Sequence, residues 1–243
     1  MCMLFRFIRR LTDIAYPKVC LACKRKLDAF NTDGYICNGC RLKIKRNLPP
    51  FCASCGRHLE KKSLNKNICP ACLKKRLHFD RAFSPCLYEG VTKELIHEFK
   101  YKSKDHLGKP LSKIMIEFIK EYELPVDYLD FIIPIPLHKA RLREREFNQA
   151  EILSRQIALE FKKDLITDAL YRHRLTKTQT GLATDKRFAN VKESFFVSQD
   201  SDLKNKNILI VDDVLTTGAT SSEAALSLKD AGANIVFVLT LAN

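Results

Sequence analysis

One stretch decides the fold of most of this chain: Asn207-Ile-Leu-Ile-Val-Asp-Asp-Val-Leu-Thr-Thr-Gly-Ala-Thr-Ser-Ser-Glu223. Its apolar part, Ile208 to Val211, predicts a strand that is buried on both faces, as strands of parallel sheets are. Two adjacent carboxylates, Asp212 and Asp213, follow at the carboxyl end of that strand, where open α/β sheets bind their ligands. The stretch therefore predicts a parallel sheet with a ligand site at its edge.

A helix start that suits a phosphate group follows the two aspartates. The predicted phosphate loop consists of Thr216, Thr217, Gly218, Ala219 and Thr220. Backbone N–H groups at a helix start and neighbouring hydroxyls bind phosphate, and a glycine lets the ligand approach the backbone closely. We expect a capping box of Thr220 and Glu223 to begin the helix and Gly232 to follow its end.

Outward from this stretch, strand and helix patterns alternate between residues 80 and 243. The predicted strands are Arg81 to Tyr88, Phe131 to Ile135, Ser194 to Val197, Ile208 to Val211 and Ile235 to Leu239. The predicted helices are Thr92 to Tyr101, Leu111 to Tyr122, Phe147 to Lys162 and Ser221 to Ala231. This alternation predicts an α/β domain with a largely parallel sheet.

The order of the functional groups restricts the ligand. Carboxylates beside a phosphate loop repel a bare polyphosphate, but they suit a ligand that has hydroxyls next to its phosphate or that carries Mg²⁺. A phosphorylated sugar has both properties. The chain contains neither a G-x-x-x-x-G-K-[ST] nor a G-x-G-x-x-G sequence, which excludes a Walker-type nucleotide hydrolase and leaves nothing that points to a dinucleotide.

The first third of the chain differs in charge and in cysteine content. Of the net charge of +14, +13 belongs to residues 1–80, which contain 18 Lys and Arg against 5 Asp and Glu. Nine of the ten cysteines also precede residue 80. We therefore expect two modules, a basic cysteine-rich region over residues 1–79 and the α/β domain over residues 80–243.

Eight of these cysteines form an internal repeat with an offset of 32 positions. The repeat consists of Cys20, Cys23, Cys37 and Cys40, followed by Cys52, Cys55, Cys69 and Cys72. Two C-x-x-C pairs supply the four sulfurs of a closed structural zinc site, so the region predicts a double zinc ribbon with about two zinc ions. A disulfide framework would need an oxidising compartment, which nothing else indicates. The spacing permits sites within one repeat or ligand pairs exchanged between repeats, and we favour two consecutive ribbons.

Basic clusters surround the cysteines. The candidate nucleic-acid patch consists of Lys43, Lys45, Arg46, Lys74, Lys75 and Arg76. Such clusters either keep a small domain soluble or bind a phosphate-rich partner such as single-stranded DNA. The rings of Phe30, Tyr35 and Phe51 are available to stack on bases or to fill the core. Residues 4–16 predict a short amphipathic helix that docks on the body of the protein or touches a membrane surface, and we favour docking.

The apolar runs are too short for a membrane span. No stretch approaches the roughly 20 apolar residues that a spanning helix needs. The N-terminal segment is interrupted by arginines and has no small-residue cleavage site, which argues against a secretory signal. We expect a cytoplasmic protein without a transmembrane segment.

Two stretches resemble known families. The motif from Val211 to Thr220 resembles the phosphoribosyl pyrophosphate (PRPP) motif of type I phosphoribosyltransferases. By this resemblance, Asp212 and Asp213 bind the ribose hydroxyls with Mg²⁺ nearby, and the phosphate loop binds the 5-phosphate. The stretch from Pro134 to Gln149 resembles the ComF family of competence proteins, which join a cysteine-rich zinc module to a phosphoribosyltransferase-like domain.

The resemblance implies further roles. Leu137, His138 and Lys139 would face the pyrophosphate, and residues 172–190 would form a mobile lid. The family has a glycine at the position that Glu146 occupies in this chain, so the turn at that position requires explanation.

Two functions remain open at this point. The first is PRPP binding together with the handling of single-stranded DNA that enters a competent cell, with the DNA-uptake machinery at the inner face of the membrane as a partner. The second is an active phosphoribosyltransferase that moves the phosphoribosyl group to an unidentified acceptor. We favour the first, because every side-chain type that PRPP requires is present while no acceptor site is visible.

Overall fold

A parallel sheet organises the chain, whose structure is a computed structural model that describes residues 18–27, 35–60, 67–101, 104–174 and 184–243. The predicted helix at residues 4–16 lies outside the described residues. So do Phe30 and residues 175–183 of the predicted lid.

The elements are numbered in chain order. The strands are β1 (Arg81–Phe83), β2 (Phe131–Pro134), β3 (Asp164–Leu165), β4 (Leu170–Arg172), β5 (Phe195–Val197), β6 (Asn207–Val214) and β7 (Ile235–Ala242). The helices are α1 (Asn38–Arg41), α2 (Pro70–Lys74), α3 (Gly90–Tyr101), α4 (Gly108–Glu121), α5 (Lys139–Arg145), α6 (Gln149–Phe161), α7 (Thr184–Val191) and α8 (Ala219–Asp230). Single 3₁₀ turns lie at Asp105–Leu107 and Val126–Tyr128.

The main sheet has the strand order β1-β7-β6-β2-β3, and each neighbouring pair is parallel. Strands β4 and β5 form a separate antiparallel pair. A parallel sheet flanked by helices confirms the predicted fold class. Strand β6 lies in the middle of this order, so the carboxylates that follow its apolar part have neighbours on both sides.

Strand β6 is apolar at consecutive positions because both of its faces are covered. Leu209 and Val211 point into the cluster that contains apolar residues of α3, α4 and α6. Ile208 and Ile210 point into a second cluster, built largely from α8 and the neighbouring strands. All four side chains are buried. A strand with one solvent-exposed face would alternate apolar and polar residues. This run is apolar throughout, which is why it predicted a parallel sheet.

Some predicted boundaries move for identifiable reasons. Strand β1 ends at Phe83 and does not continue to Tyr88, because Pro85 cannot donate to a sheet ladder. Helix α6 begins at Gln149 and not at Phe147, because the side chain of Asn148 accepts the N–H of Ala150 at 3.1 Å and so caps the helix.

Candidate zinc centres and phosphate-ligand site

Eight sulfurs gather into two tetrads, each from one repeat. The Sγ atoms within each tetrad lie within 4.8 Å of one another; the members are Cys20, Cys23, Cys37 and Cys40, and then Cys52, Cys55, Cys69 and Cys72. The Sγ atoms of Cys23 and Cys37 are 3.8 Å apart, and the corresponding pair in the second tetrad is 3.6 Å apart. Tetrahedral zinc with Zn–S bonds of about 2.3 Å requires sulfurs about 3.8 Å apart. Both tetrads therefore fit a zinc ion, and consecutive ribbons are confirmed over ligands exchanged between repeats.

The repeat in sequence is also a repeat in backbone geometry. In each ribbon the backbone N–H of the third cysteine donates to the sulfur of the first, at 3.4 Å and 3.3 Å. The residue after each first C-x-x-C pair has a left-handed backbone, with φ 61° at Lys24 and φ 69° at Gly56. Only the second repeat has a glycine there, and its surroundings explain why.

The thiols of the first tetrad have pKa values shifted in opposite directions. Hydrogen bonds from Arg25, chiefly from its backbone, lower the pKa of Cys23 to about 6. Burial and the neighbouring sulfurs raise the pKa of Cys40. Four sulfurs at this separation ionise together only beside a cation, and a zinc ion supplies that charge.

The second ribbon packs directly on the sheet. The N–H of Ala82 in β1 donates to the carbonyl of Ser54 at 2.8 Å. A Cβ atom built on Gly56 would lie 2.2 Å from the carbonyl oxygen of Ala82. A glycine is therefore required here both for its positive φ and for the close approach of the two backbones.

A buried asparagine, Asn47, links three parts of the chain. Its Nδ2 donates to the carbonyl of Gly56 at 2.8 Å and to that of Ser84 at 2.9 Å. Its Oδ1 accepts the backbone N–H of His58 at 3.0 Å. Asn47 lies in the segment between the two ribbons. Its side chain therefore connects this segment to the second ribbon and to the end of β1.

The two aspartates lie inside β6, which continues to Val214. Alternation along the strand directs their side chains to opposite faces. Asp213 is buried at 6% exposure, and its Oδ1 lies 2.7 Å from the Nζ of Lys100. The backbone N–H of Asp213 donates to Oδ1 of Asp212 at 2.8 Å. One carboxylate is thus held by an ion pair.

The second carboxyl group, that of Asp212, has a pKa near neutral pH. Burial and the negative charge of Asp213 raise the pKa of Asp212 to about 7, although Lys100 and Arg172 oppose the shift. Lys100 remains charged, because the carboxylates raise its pKa by more than burial lowers it. A cation beside Asp212 would therefore bind more tightly as the carboxyl loses its proton.

Two cationic side chains act on the aspartates, Lys100 from α3 and Arg172 from β4. Arg145 from α5 lies within electrostatic reach of both of these cations. Burial lowers the pKa of Arg172, which also lies within electrostatic reach of Asp212, Arg141 and Arg145. Arg145 donates to the hydroxyl of Tyr101 at 3.4 Å and stacks over its ring. Arg145 falls within the stretch that resembles the ComF family and Arg172 begins the predicted lid, so only Lys100 lacked a sequence signal.

The phosphate loop has the predicted glycine but not the predicted capping box. Gly218 has φ 77° and is itself the N-cap of α8, with no side-chain cap. Because the helix starts at Ala219, Thr220 lies within its first turn, and the carboxylate of Glu223 accepts the backbone N–H of Glu193 instead. Gly232 does follow the helix end, with φ 95°.

The segment predicted to face pyrophosphate is the start of a helix. His138 is the N-cap of α5, and its Nδ1 accepts the N–H of Ala140 at 3.2 Å. Leu137 is partly buried before it, and Lys139 is exposed in the first turn. Glu146 ends this helix with φ 69°, a conformation that explains why a glycine suits the position. Whether these groups meet a pyrophosphate stays a prediction.

The candidate nucleic-acid patch is partly neutralised. Lys45 pairs with Glu89 at 2.7 Å, and Arg46 lies 3.6 Å from Glu121. The Nζ of Lys75 lies 3.7 Å from the ring centre of Phe188. The three remaining members, Lys43, Lys74 and Arg76, are exposed.

The two candidate stacking rings among the described residues, Phe51 and Tyr35, pack against other side chains. Phe51 packs edge-on against Phe118 and Tyr122, with ring centres 5.9 and 5.2 Å away. Tyr35 packs against His106 at 4.5 Å. These rings are committed to packing, so in this arrangement they are not free to stack on bases.

Together, the fold and the two sites define a class of protein, a double zinc ribbon joined to a phosphoribosyltransferase domain. The double zinc ribbon model matches residues 11–76, and the phosphoribosyl transferase domain model matches residues 147–243. The resemblance to the ComF family is confirmed by relatives that span most of the chain.

Three relatives illustrate the match. Competence protein F of Haemophilus influenzae is 27% identical over 92% of this chain and 96% of its own length. DNA utilization protein YhgH of Escherichia coli is 28% identical over 94% and 98%. Competence protein ComFC of Bacillus subtilis is 27% identical over 88% and 90%.

Within the described ranges, no helix combines the length and the apolar composition that a membrane span requires.

Proposed function

We propose that the protein binds PRPP with Mg²⁺ at the end of β6 and handles single-stranded DNA during DNA uptake. The observation that carries the proposal is the juxtaposition of Asp212 and Asp213 with the Gly218 loop and with the cations Lys100 and Arg172. Carboxylates suit ribose hydroxyls and Mg²⁺, backbone N–H groups suit a phosphate, and cations suit a pyrophosphate.

Each group has a distinct task in this proposal. Asp212 accepts hydrogen bonds from ribose hydroxyls or binds the metal once it is ionised. Lys100, released from Asp213, neutralises ligand charge, and Arg172 adds a second positive charge near Asp212. Bound Mg²⁺ would neutralise the pyrophosphate. Calorimetry with PRPP and Mg²⁺ tests the site, and absence of binding heat at millimolar PRPP would reject it.

The proposal extends to DNA because relatives carry the names competence protein and DNA utilization protein. It includes a cytoplasmic location beside uptake machinery at the inner face of the membrane. It also keeps the division into modules at residues 79 and 80. Exposed Lys43, Lys74 and Arg76 are the members of the basic patch that supply the DNA contacts.

The salt dependence of DNA binding tests these contacts. Replacing Lys43, Lys74 and Arg76 with glutamine should flatten the slope of log K against log[salt] for single-stranded DNA by about 2, since each lost phosphate contact contributes roughly 0.7. The control replaces three exposed lysines of the second region, Lys109, Lys113 and Lys204, with the same charge change. Equal slopes for the two variants would contradict the assignment.

The raised pKa of Asp212 predicts a pH dependence that can be measured directly. Carboxyl-carbon NMR should show Asp212 titrating near pH 7. Asp213→Asn should lower this pKa, because it removes a like charge and releases Lys100, whereas Lys100→Met should raise it. The folded state should therefore lose stability as the pH rises from about 4 to about 7, because over this range the unfolded chain releases the Asp212 proton while the folded chain retains it. Titration near pH 4 would refute this environment.

Phosphoribosyl transfer to an acceptor is the second candidate. It is favoured by the match of residues 147–243 to the phosphoribosyl transferase domain and by the cations that face the carboxylates. Release of pyrophosphate from PRPP in the presence of candidate acceptors distinguishes an enzyme from a binding protein.

A further inference from the structure

The second zinc ribbon faces the phosphate loop across a small cavity. The cavity encloses about 160 Å³, well above the roughly 10 to 15 Å³ that one water molecule needs on the same measure. One wall is formed by Thr216, Thr217 and Gly218 of the loop. The opposite wall includes Arg57 and Lys75, which belong to the ribbon and to the segment just after it. The cavity is therefore shared between two parts of the chain that are distant in sequence.

Basic side chains converge on the same residue of the loop. Nη2 of Arg57 donates to the carbonyl of Thr216 at 3.2 Å, and Nη1 of Arg187 donates to its Oγ1, also at 3.2 Å. Lys75 lies over the ring of Phe188, another lining residue. Among the described residues that line the cavity there is no aspartate or glutamate. Besides the two zinc-ligand cysteines and the apolar side chains, the lining contributes the cations Arg57 and Lys75 and the hydroxyls of the loop threonines, which suit an anion.

Independent contacts hold the ribbon wall in place. The backbone N–H of His78 donates to Oγ of Ser222 in α8 at 3.0 Å. A Cβ atom built on Gly218 would lie 3.3 Å from Leu77, so the segment after the ribbon packs closely against the loop. Arg57 directly follows Gly56, which is locked against β1. Its side chain therefore starts from a fixed backbone position.

The zinc centre beside the cavity sets the charge balance. Cys55 and Cys72 contribute to the lining, and a tetrathiolate zinc site carries a formal charge of about −2. Arg57, Lys75 and Arg187 lie on or beside the cavity and oppose that charge. Removal of one of these cations should therefore weaken the attraction for an anionic ligand.

We propose that the second zinc ribbon forms one wall of the phosphate subsite, and that Arg57 and Lys75 bind a phosphate monoester dianion held from the other side by the Thr216–Thr220 loop. The inference rests on the phosphate site of the proposed function and assigns ribbon side chains to it. It makes the ribbon part of the ligand site as well as a structural or nucleic-acid module. Ligand binding then stabilises the docked position of the ribbon.

Calorimetry on the full-length protein tests this with ribose 5-phosphate and PRPP as probes. Lys75→Met and Arg57→Met should each weaken binding of ribose 5-phosphate at least tenfold, while Lys75→Arg retains most of the affinity. Lys113→Met and Lys204→Met make the same charge change on exposed lysines of the second region and should leave the affinity unchanged. Zinc content and the thermal midpoint are measured for every variant.

The outcomes separate this inference from the proposed function. If the wild-type protein binds neither probe, the phosphate site itself is rejected. If the wild-type protein binds ribose 5-phosphate and both methionine variants bind it equally well, the proposed role of the ribbon is overturned while the phosphate site stands. The two cations then serve only to balance the charge of the zinc centre. If Arg57→Met loses zinc, the Lys75 variants decide, because Lys75 is not adjacent to a zinc ligand in sequence.

Discussion

Asp212→Asn should weaken Mg²⁺-dependent PRPP binding at least tenfold, and the combined Asp212→Asn, Asp213→Asn variant should abolish it. An amide keeps the shape of the carboxylate but loses its charge and half of its acceptor capacity. The single variant is the cleaner test, because it leaves the ion pair between Lys100 and Asp213 in place.

The double variant has a structural side effect that needs its own control. Removing Asp213 leaves Lys100 without its partner in a largely buried position, and breaking such a pair costs about 3 to 5 kcal/mol. Adding Lys100→Met removes the unpaired charge and should restore the thermal midpoint without restoring binding. Asp164→Asn, on exposed β3, is the matched control. Unchanged PRPP affinity in the triple variant would exclude the site.

Chelation of zinc should unfold the first region and also destabilise the sheet. Structural zinc contributes on the order of 10 to 16 kcal/mol in small domains, more than their apolar cores supply. The second ribbon bonds to Ala82 of β1, so its loss uncovers the edge of the parallel sheet. Metal analysis should find about two zinc ions in the purified protein.

Single ligand substitutions locate the two ions. Cys23→Ser and Cys55→Ser should each remove one zinc ion, and both should destabilise the second region, because buried residues of the first ribbon belong to the main core cluster and the second ribbon bonds to β1. Cys86→Ala, at a buried cysteine outside both tetrads, should retain both ions. Eight thiols oxidised in pairs without zinc would overturn the assignment.

Local patterns made much of the fold predictable. The run from Ile208 to Val211 has no polar residue, and only a strand covered on both faces requires that. The cysteine spacing fixed the ligand types, because a two-residue gap aims both sulfurs at one ion. In both cases the determining residues are neighbours in sequence, so no knowledge of tertiary contacts was needed.

Groups that meet only through the tertiary fold escaped sequence analysis. Lys100, Arg145 and Arg172 come from three separate elements, and no spacing rule connects them. The capping box at Thr220 was wrong because Gly218 takes a left-handed conformation and starts the helix earlier. The α5 helix and strand β4 are too short for periodicity to reveal them, and β5, although predicted, pairs with β4 outside the main sheet.

The buried amide of Asn47 has a consequence for how the molecule opens. Its three hydrogen bonds end on the second ribbon and on the residue that follows β1. Separation of the ribbon from the sheet must break all of these bonds within one dry interior, with no water to replace them until the gap is wide. The ribbon and the sheet edge therefore form one cooperative unfolding unit, in which partial detachment is sparsely populated.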